Sequence, residues 1–140
     1  MANALNRTEA TRPTAYTPAI VRRDAFGPRP SFRVLVAEVD GRVVGYASFG
    51  VTYNTDIAGR EMWMHDLYVI PRARSRGIGA ALVAAVAREA ARRRLSRLGW
   101  GVRGTNTRAL RFYRGLGAQV GHTRLALLLG RSFLALAARR

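Results

Sequence analysis

The 140-residue chain has no cysteine, no lysine and only two histidines, His65 and His122. The lack of cysteine excludes a disulfide framework, a thiolate-ligated metal and an acyl-cysteine intermediate. With two histidines and no thiol there is no donor set for a zinc site, and no metal is expected. Carboxylates are scarce as well: eight acidic residues stand against 24 basic ones, all arginine, for a formal charge of +16. An arginine-only complement is also what GC-rich coding favours, but its field attracts polyanions whatever its origin. Those include nucleic acid and the phosphates of a nucleotide co-substrate, and charge alone does not choose between them.

Long apolar runs are missing too. A membrane span needs ~20 apolar residues, and the nearest approach, 125–138, is interrupted by Gly130 and Arg131. The opening residues lack the apolar stretch of a signal peptide, so the chain is read as cytoplasmic with no membrane partner.

What is present suits one folded core. Apolar residues make up 49%, too many for a disordered chain, and the length fits a single domain. Residues 1–19, polar and carrying Pro13 and Pro18, are expected as a flexible leader, with one domain over 20–140. Strands are predicted at 32–39 and 43–53, joined by the hairpin dipeptide Asp40-Gly41. A loop over 54–60 leads to a third strand at 61–70, ended by Pro71. Ile78, Leu82, Val86 and Ala90 then repeat every four residues, the stripe of a helix running to about Arg94. Glu89 and Arg93 form a favourably oriented i,i+4 pair on it. Leu98, Trp100 and Val102 alternate as a fourth strand, 106–116 has helical spacing closed by Gly117, and 123–129 reads as a last strand.

The informative junction is strand, then Arg74-Ser-Arg-Gly77-Ile-Gly79, then helix. A helix N-terminus presents unpaired N–H groups and a partial positive charge. Glycines before it let the backbone approach an anion closely, so the junction can hold pyrophosphate, with Arg72, Arg74 and Arg76 adding charge. It is incomplete as a dinucleotide fingerprint, and no Gly-Lys-Ser/Thr follows it. A tight turn packing strand on helix would use the same glycines.

Here the chain resembles a known family. The stretch HDLYVIPRARSRGIGAAL resembles the central motif of the GNAT superfamily of N-acetyltransferases: Arg or Gln, two residues, Gly, any residue, then Gly or Ala. Arg74, Gly77 and Gly79 fit it, and Ser75 stands where a Gly is common. WGVRGTNTRALRFYRGLGA matches the family's downstream strand-Asn-helix-Tyr segment, and DGRVVGYASFGVTYNT resembles the preceding hairpin, above all in diamine acetyltransferase-like members. The three blocks stand in the family's order, from about Val34 to Ala118.

The resemblance implies an α/β fold with a mixed, twisted sheet, the acyl-CoA N-acyltransferase fold, without the usual N-terminal strand-helix unit. It implies acetyl-CoA between the third and fourth strands, with the backbone of Leu67, Tyr68 and Val69 meeting the thioester and pantetheine arm. The N–H groups of Arg74, Ser75, Arg76, Gly77, Ile78, Gly79 and Ala80 would hold the pyrophosphate. Asn106 matches a position that contacts the cofactor arm, and is equally a good helix N-cap. Tyr113 matches the tyrosine assigned as general acid to the leaving thiolate, against the alternative of a core residue with a satisfied hydroxyl. His65 stands where the diamine-type relatives often carry Glu. Imidazole suits a base at neutral pH, so His65 is the candidate for deprotonating the amine; the alternative is a packed strand histidine. A sheet without its first strand exposes an edge or apolar surface, for which a second copy is the simplest cover, and a homodimer is expected. A catalytically inactive acetyl-CoA binder and a basic nucleic-acid binder stand as the rival readings.

Overall fold

Asp40 and Gly41 both take positive φ, 50° and 69°, the geometry of a two-residue hairpin turn that suits the twist of its strands. The turn joins β1 (Arg33–Val39) to β2 (Arg42–Asn54). In this computed structural model the described residues are 1–8 and 16–121. His122 and the strand expected at 123–129 lie outside them.

The chain falls into two compact units, Met1–Arg103 and Gly104–Arg140. The first holds α1 (Ala2–Thr8), α2 (Pro18–Phe26), β1, β2, β3 (Gly59–Val69), α3 (Ile78–Arg92) and β4 (Leu98–Trp100). The described part of the second holds α4 (Thr107–Gly115). The strand order is β1-β2-β3-β4. The first three strands are antiparallel, and β4 runs parallel to β3 over three residue pairs, Met62–Leu98 to Met64–Trp100.

α3 covers one face of the sheet. Its Leu82, Val83, Val86 and Ala90 are buried, as are Ala47, Phe49, Met62 and Met64 of β2 and β3. Glu89 ties the far end of the helix with ion pairs to Arg92, to Arg93 at 2.8 Å and to Arg33 of β1 at 3.6 Å. The expected i,i+4 pair is therefore part of a larger cluster.

Two differences from the residue pattern concern the strand ends and the start of the chain. The loop expected over 54–60 is shorter, because Asn54 caps a single turn (its Oδ1 accepts from Asp56 N–H at 2.9 Å) and Ala58 takes φ 46°. That lets β2 run to Asn54 and β3 begin at Gly59. α2 has no apolar period because none of its residues is buried. It is set instead by its start: Thr17 Oγ1 accepts from Ile20 N–H at 3.2 Å, and Pro18 occupies the first turn, where a missing N–H costs nothing.

Candidate active site

β2 and β3 change register inside the sheet. Ser48 pairs with Asp66 but the next residue, Phe49, pairs with Met64. β3 therefore carries one extra residue, His65, which has no partner across the ladder; this is a β-bulge. Side chains alternate along strands, so the bulge resets which residues share a face. A Cβ at Gly45 would lie 3.4 Å from Leu82 Cδ1, so Gly45, Ala47 and Phe49 face α3, together with their partners Val69, Leu67 and Met64. Tyr46, Ser48 and Gly50 face away, with Tyr68, Asp66 and Trp63. His65 joins this second face: its Nε2 would lie 3.3 Å from a Cβ at Gly50, and the ring is exposed.

On that face His65 borders an open cleft of about 430 Å³, shared with Ser31, Gly50, Thr52, Glu61 and Trp63. Glu61 is buried and already answered, by Asn54 Nδ2 at 3.1 Å and Arg97 Nε at 3.6 Å. Asp66, beside His65, accepts from Ser48 Oγ at 3.0 Å and, more distantly, from the Tyr46 hydroxyl at 3.4 Å. Burial first, and the Asp66 charge second, push the Tyr46 phenol well above its ordinary range, so it stays a donor. This group of side chains was not visible in the residue pattern. Ser48 and Asp66 are 18 residues apart, and their pairing depends on a bulge that no local signal marks.

β3 pairs with β4 only as far as Met64, whereas β3 continues to Val69. From His65 to Val69, alternate backbone N–H and C=O groups point to the side where β4 no longer follows. Leu67, Tyr68 and Val69 thus lie along a strand edge that has no partner on that side among the described residues and that leads into the 71–79 loop.

That loop makes a short 3₁₀ turn, Pro71–Ala73, and then Arg74 turns back, its Nε donating to the Val69 carbonyl at 2.8 Å. Its guanidinium carbon also lies 5.7 Å from the centre of the Tyr68 ring. Arg74 therefore braces the junction, while Arg72 and Arg76 are exposed. Ser75 and Gly77 take positive φ, 62° and 77°. Gly77 is the residue that caps α3, and no side chain caps the helix. Among the described residues the N–H groups of Ile78, Gly79 and Ala80 have no acceptor, and a Cβ at Gly77 would meet nothing within 4 Å. An uncapped helix start with open space before it has the donors and the room to accept an anion. The residues fit a nucleotide pyrophosphate.

In the second unit, Asn106 Oδ1 accepts from Ala109 N–H at 3.1 Å, so Asn106 is the N-cap of α4. Tyr113 on the same helix is buried, with its ring centre 5.1 Å from that of Phe112. Gly117 takes φ 85° where the helix ends. The first unit brings His65, Leu67–Val69 and the 74–80 loop onto one strand and the helix it feeds; Asn106 and Tyr113 share a helix in the other unit. Among the described residues no cluster of His, Asp and Glu suits a metal ion, and no helix is long and apolar enough to cross a membrane.

The model of the acetyltransferase (GNAT) family matches residues 2–118. A thialysine N-epsilon-acetyltransferase of Mus musculus is 36% identical over 107 residues, covering 71% of this chain and 62% of that protein. An L-ornithine N5-acetyltransferase of Arabidopsis thaliana is 32% identical over 78 residues, covering 56% of this chain and 34% of that protein. The chain thus spans less than two thirds of the length of these relatives. Among solved structures, an integron cassette protein from the mobile metagenome of V. cholerae superposes with a TM-score of 0.81 at 25% identity, covering 98% of this chain and 87% of that one.

Proposed function

The chain belongs to the acetyltransferase (GNAT) family, and on that premise we propose that it transfers an acetyl group from acetyl-CoA directly to a primary amine of a small molecule or peptide. The observation that carries the proposal is the uncapped start of α3, preceded by Gly77 in a left-handed conformation and reached from a strand edge that β4 leaves open. The N–H groups around Arg74 to Ala80 bind the pyrophosphate. The open edge at Leu67 to Val69 receives the pantetheine arm and thioester, and Asn106 adds a contact to the arm. Relatives that act on thialysine and L-ornithine support an acceptor whose amine ends a short aliphatic chain.

The reaction forms a C–N bond and breaks the C–S bond of the thioester. An aliphatic amine, pKa ~10, is mostly protonated at neutral pH and must lose a proton before attack. We assign that proton to His65, which stands exposed on the bulge beside the open edge. The neutral amine adds to the thioester carbonyl carbon, and collapse of the tetrahedral adduct expels the thiolate. Tyr113 donates the phenolic proton that converts this thiolate to free CoA, and the second proton of the attacking nitrogen, lost as the amide forms, restores the phenol. No acyl-enzyme is formed on a thiol, because the chain has none.

We extend the proposal to a homodimer acting in the cytoplasm. Support for self-association comes from β1 standing at the end of the described strand order, with Val36, Val39 and Val43 of the hairpin exposed. A single monomer peak in sedimentation across micromolar concentrations contradicts the dimer.

Acetyl-CoA binding tests the cradle without turnover. A ligand at 100 times its dissociation constant adds ~2.7 kcal/mol to stability, so millimolar acetyl-CoA should raise the melting temperature by several degrees. Gly79→Asp, which places a carboxylate at the helix start, should remove the shift. No shift with the unaltered protein contradicts the proposal.

A further inference from the structure

The face of the sheet that α3 covers keeps an opening of its own. A cleft of about 930 Å³ runs between the end of α2, the start of β1 and the outer half of α3. That volume lies within the ~300–1,000 Å³ of small-molecule sites. Its floor is apolar, made by Leu35 of β1, Phe49 of β2 and Ala85 of α3. Arg88, on its rim, stands ten residues along α3 from Ile78, which is ~15 Å at 1.5 Å per residue. The cleft and the start of α3 are therefore separate places.

One wall is an aromatic ring. Phe26 ends α2 and is 74% exposed, the most of any large apolar residue among those described, yet it lines the cleft. Backbone contacts hold it there. Ser31 N–H donates to the Asp24 carbonyl at 2.7 Å, which folds the chain back on α2 just after Phe26. Gly27 permits that turn, since a Cβ there would lie 2.3 Å from the Arg23 carbonyl oxygen. The rim is cationic: Arg33, Arg88 and Arg92 line the cleft with a single carboxylate, Glu89. Glu89 is already shared by Arg33, Arg92 and Arg93, and Arg88 forms no ion pair among the described residues. Three arginines against one carboxylate leave an excess of two positive charges above an apolar floor.

We propose that this cleft binds an amphiphilic carboxylate, with its tail along Phe26 and Leu35 and its head on Arg88 and the neighbouring arginines. A guanidinium fork matches a carboxylate with two parallel hydrogen bonds. The tail and the Phe26 ring gain by leaving water together. Both halves of the ligand are needed. A cation of the same shape is repelled by the rim, and a small anion leaves Phe26 in water. The site uses no residue assigned to acetyl transfer, so it stands or falls independently of that reading.

The test is direct binding, measured by calorimetry on the full chain with octanoate as the probe. Acetate has the head without the tail, and octylammonium has the tail with the opposite charge. Octanoate should bind at least tenfold more tightly than either. Arg88→Ala and Phe26→Ala should each weaken octanoate at least threefold. Neither should much alter the melting temperature of the free protein, because both residues are exposed. Acetyl-CoA at millimolar concentration should leave octanoate affinity unchanged, as two separate places require. Absence of octanoate binding overturns the inference, as does acetate or octylammonium binding as tightly as octanoate. Octanoate binding that keeps its full affinity in either variant, or that acetyl-CoA displaces, overturns it equally.

Discussion

His65 and Asp66 are consecutive in β3 yet share one face of the sheet, because the strand holds one residue more than β2 between the Met64–Phe49 and Asp66–Ser48 pairs. A regular strand would send them to opposite faces. The bulge sets an exposed imidazole beside a fixed carboxylate at the point where β4 stops following β3.

If His65 removes the amine proton, His65→Ala should lower kcat at neutral pH by about 10²-fold, the lower end of general base catalysis. The melting temperature should hardly move, since the ring is exposed. The deficit should shrink as pH rises toward the amine pKa of ~10, because more acceptor then arrives neutral. A deficit that is constant from pH 6.5 to 9.5 contradicts the role.

Arg74 ties the end of β3 to the loop that starts α3. Hydrogen bonds from charged donors contribute ~1.5–3 kcal/mol when half-buried. Arg74→Ala should therefore lower the melting temperature by several degrees and raise the acetyl-CoA dissociation constant about tenfold, by loosening the cradle. An unchanged dissociation constant would show that the loop holds its shape without this brace.

Tyr113→Phe should lower kcat at least tenfold, in line with the ~10²–10⁴-fold range of general acid catalysis. Acetyl-CoA binding and melting temperature should change little, since the ring that packs beside Phe112 is retained. Unchanged kcat, with chemistry shown to be rate-limiting, contradicts the assignment.

Glu89 is held below its ordinary value of 4.5, first by the hydrogen bond from Arg93; burial opposes this, and the individually smaller effects of the Arg92, Arg93 and Arg33 charges lower it further. A depressed carboxylate pKa stabilises the fold above the unfolded value, and that contribution is lost as pH falls through the folded value. Glu89→Gln should thus destabilise the protein at pH 7 and flatten the decline in melting temperature below about pH 4.5. Parallel melting curves for the two proteins from pH 7 down to pH 3 would contradict this linkage.

Most of the frame was legible from local chemistry. Asp40-Gly41 announces its turn because both residues accept positive φ, and α3 announces itself because Leu82, Val86 and Ala90 are buried at helical spacing. The 74–80 loop was readable because glycines before a helix have few uses. α2 was missed because it buries nothing, so its residues carry no period and only Thr17-Pro18 marks its start. The bulge at His65 was missed because an extra residue in a strand leaves no trace in a mixed apolar pattern. The surroundings of Asp66 then could not be read, since the Ser48–Asp66 contact follows from that altered register.

Acetyl transfer from acetyl-CoA to an amine frees one thiol per turnover, and a protein without cysteine adds nothing to a thiol assay. The protein is mixed with acetyl-CoA and a panel of diamines, basic amino acids and aminoglycosides, free thiol is followed with a chromogenic disulfide, and the acetylated amine is weighed by mass spectrometry. Thiol release should depend on the amine and match the acetylated product one to one. Thiol release no faster than hydrolysis of acetyl-CoA alone, with every amine in the panel unmodified, would contradict it.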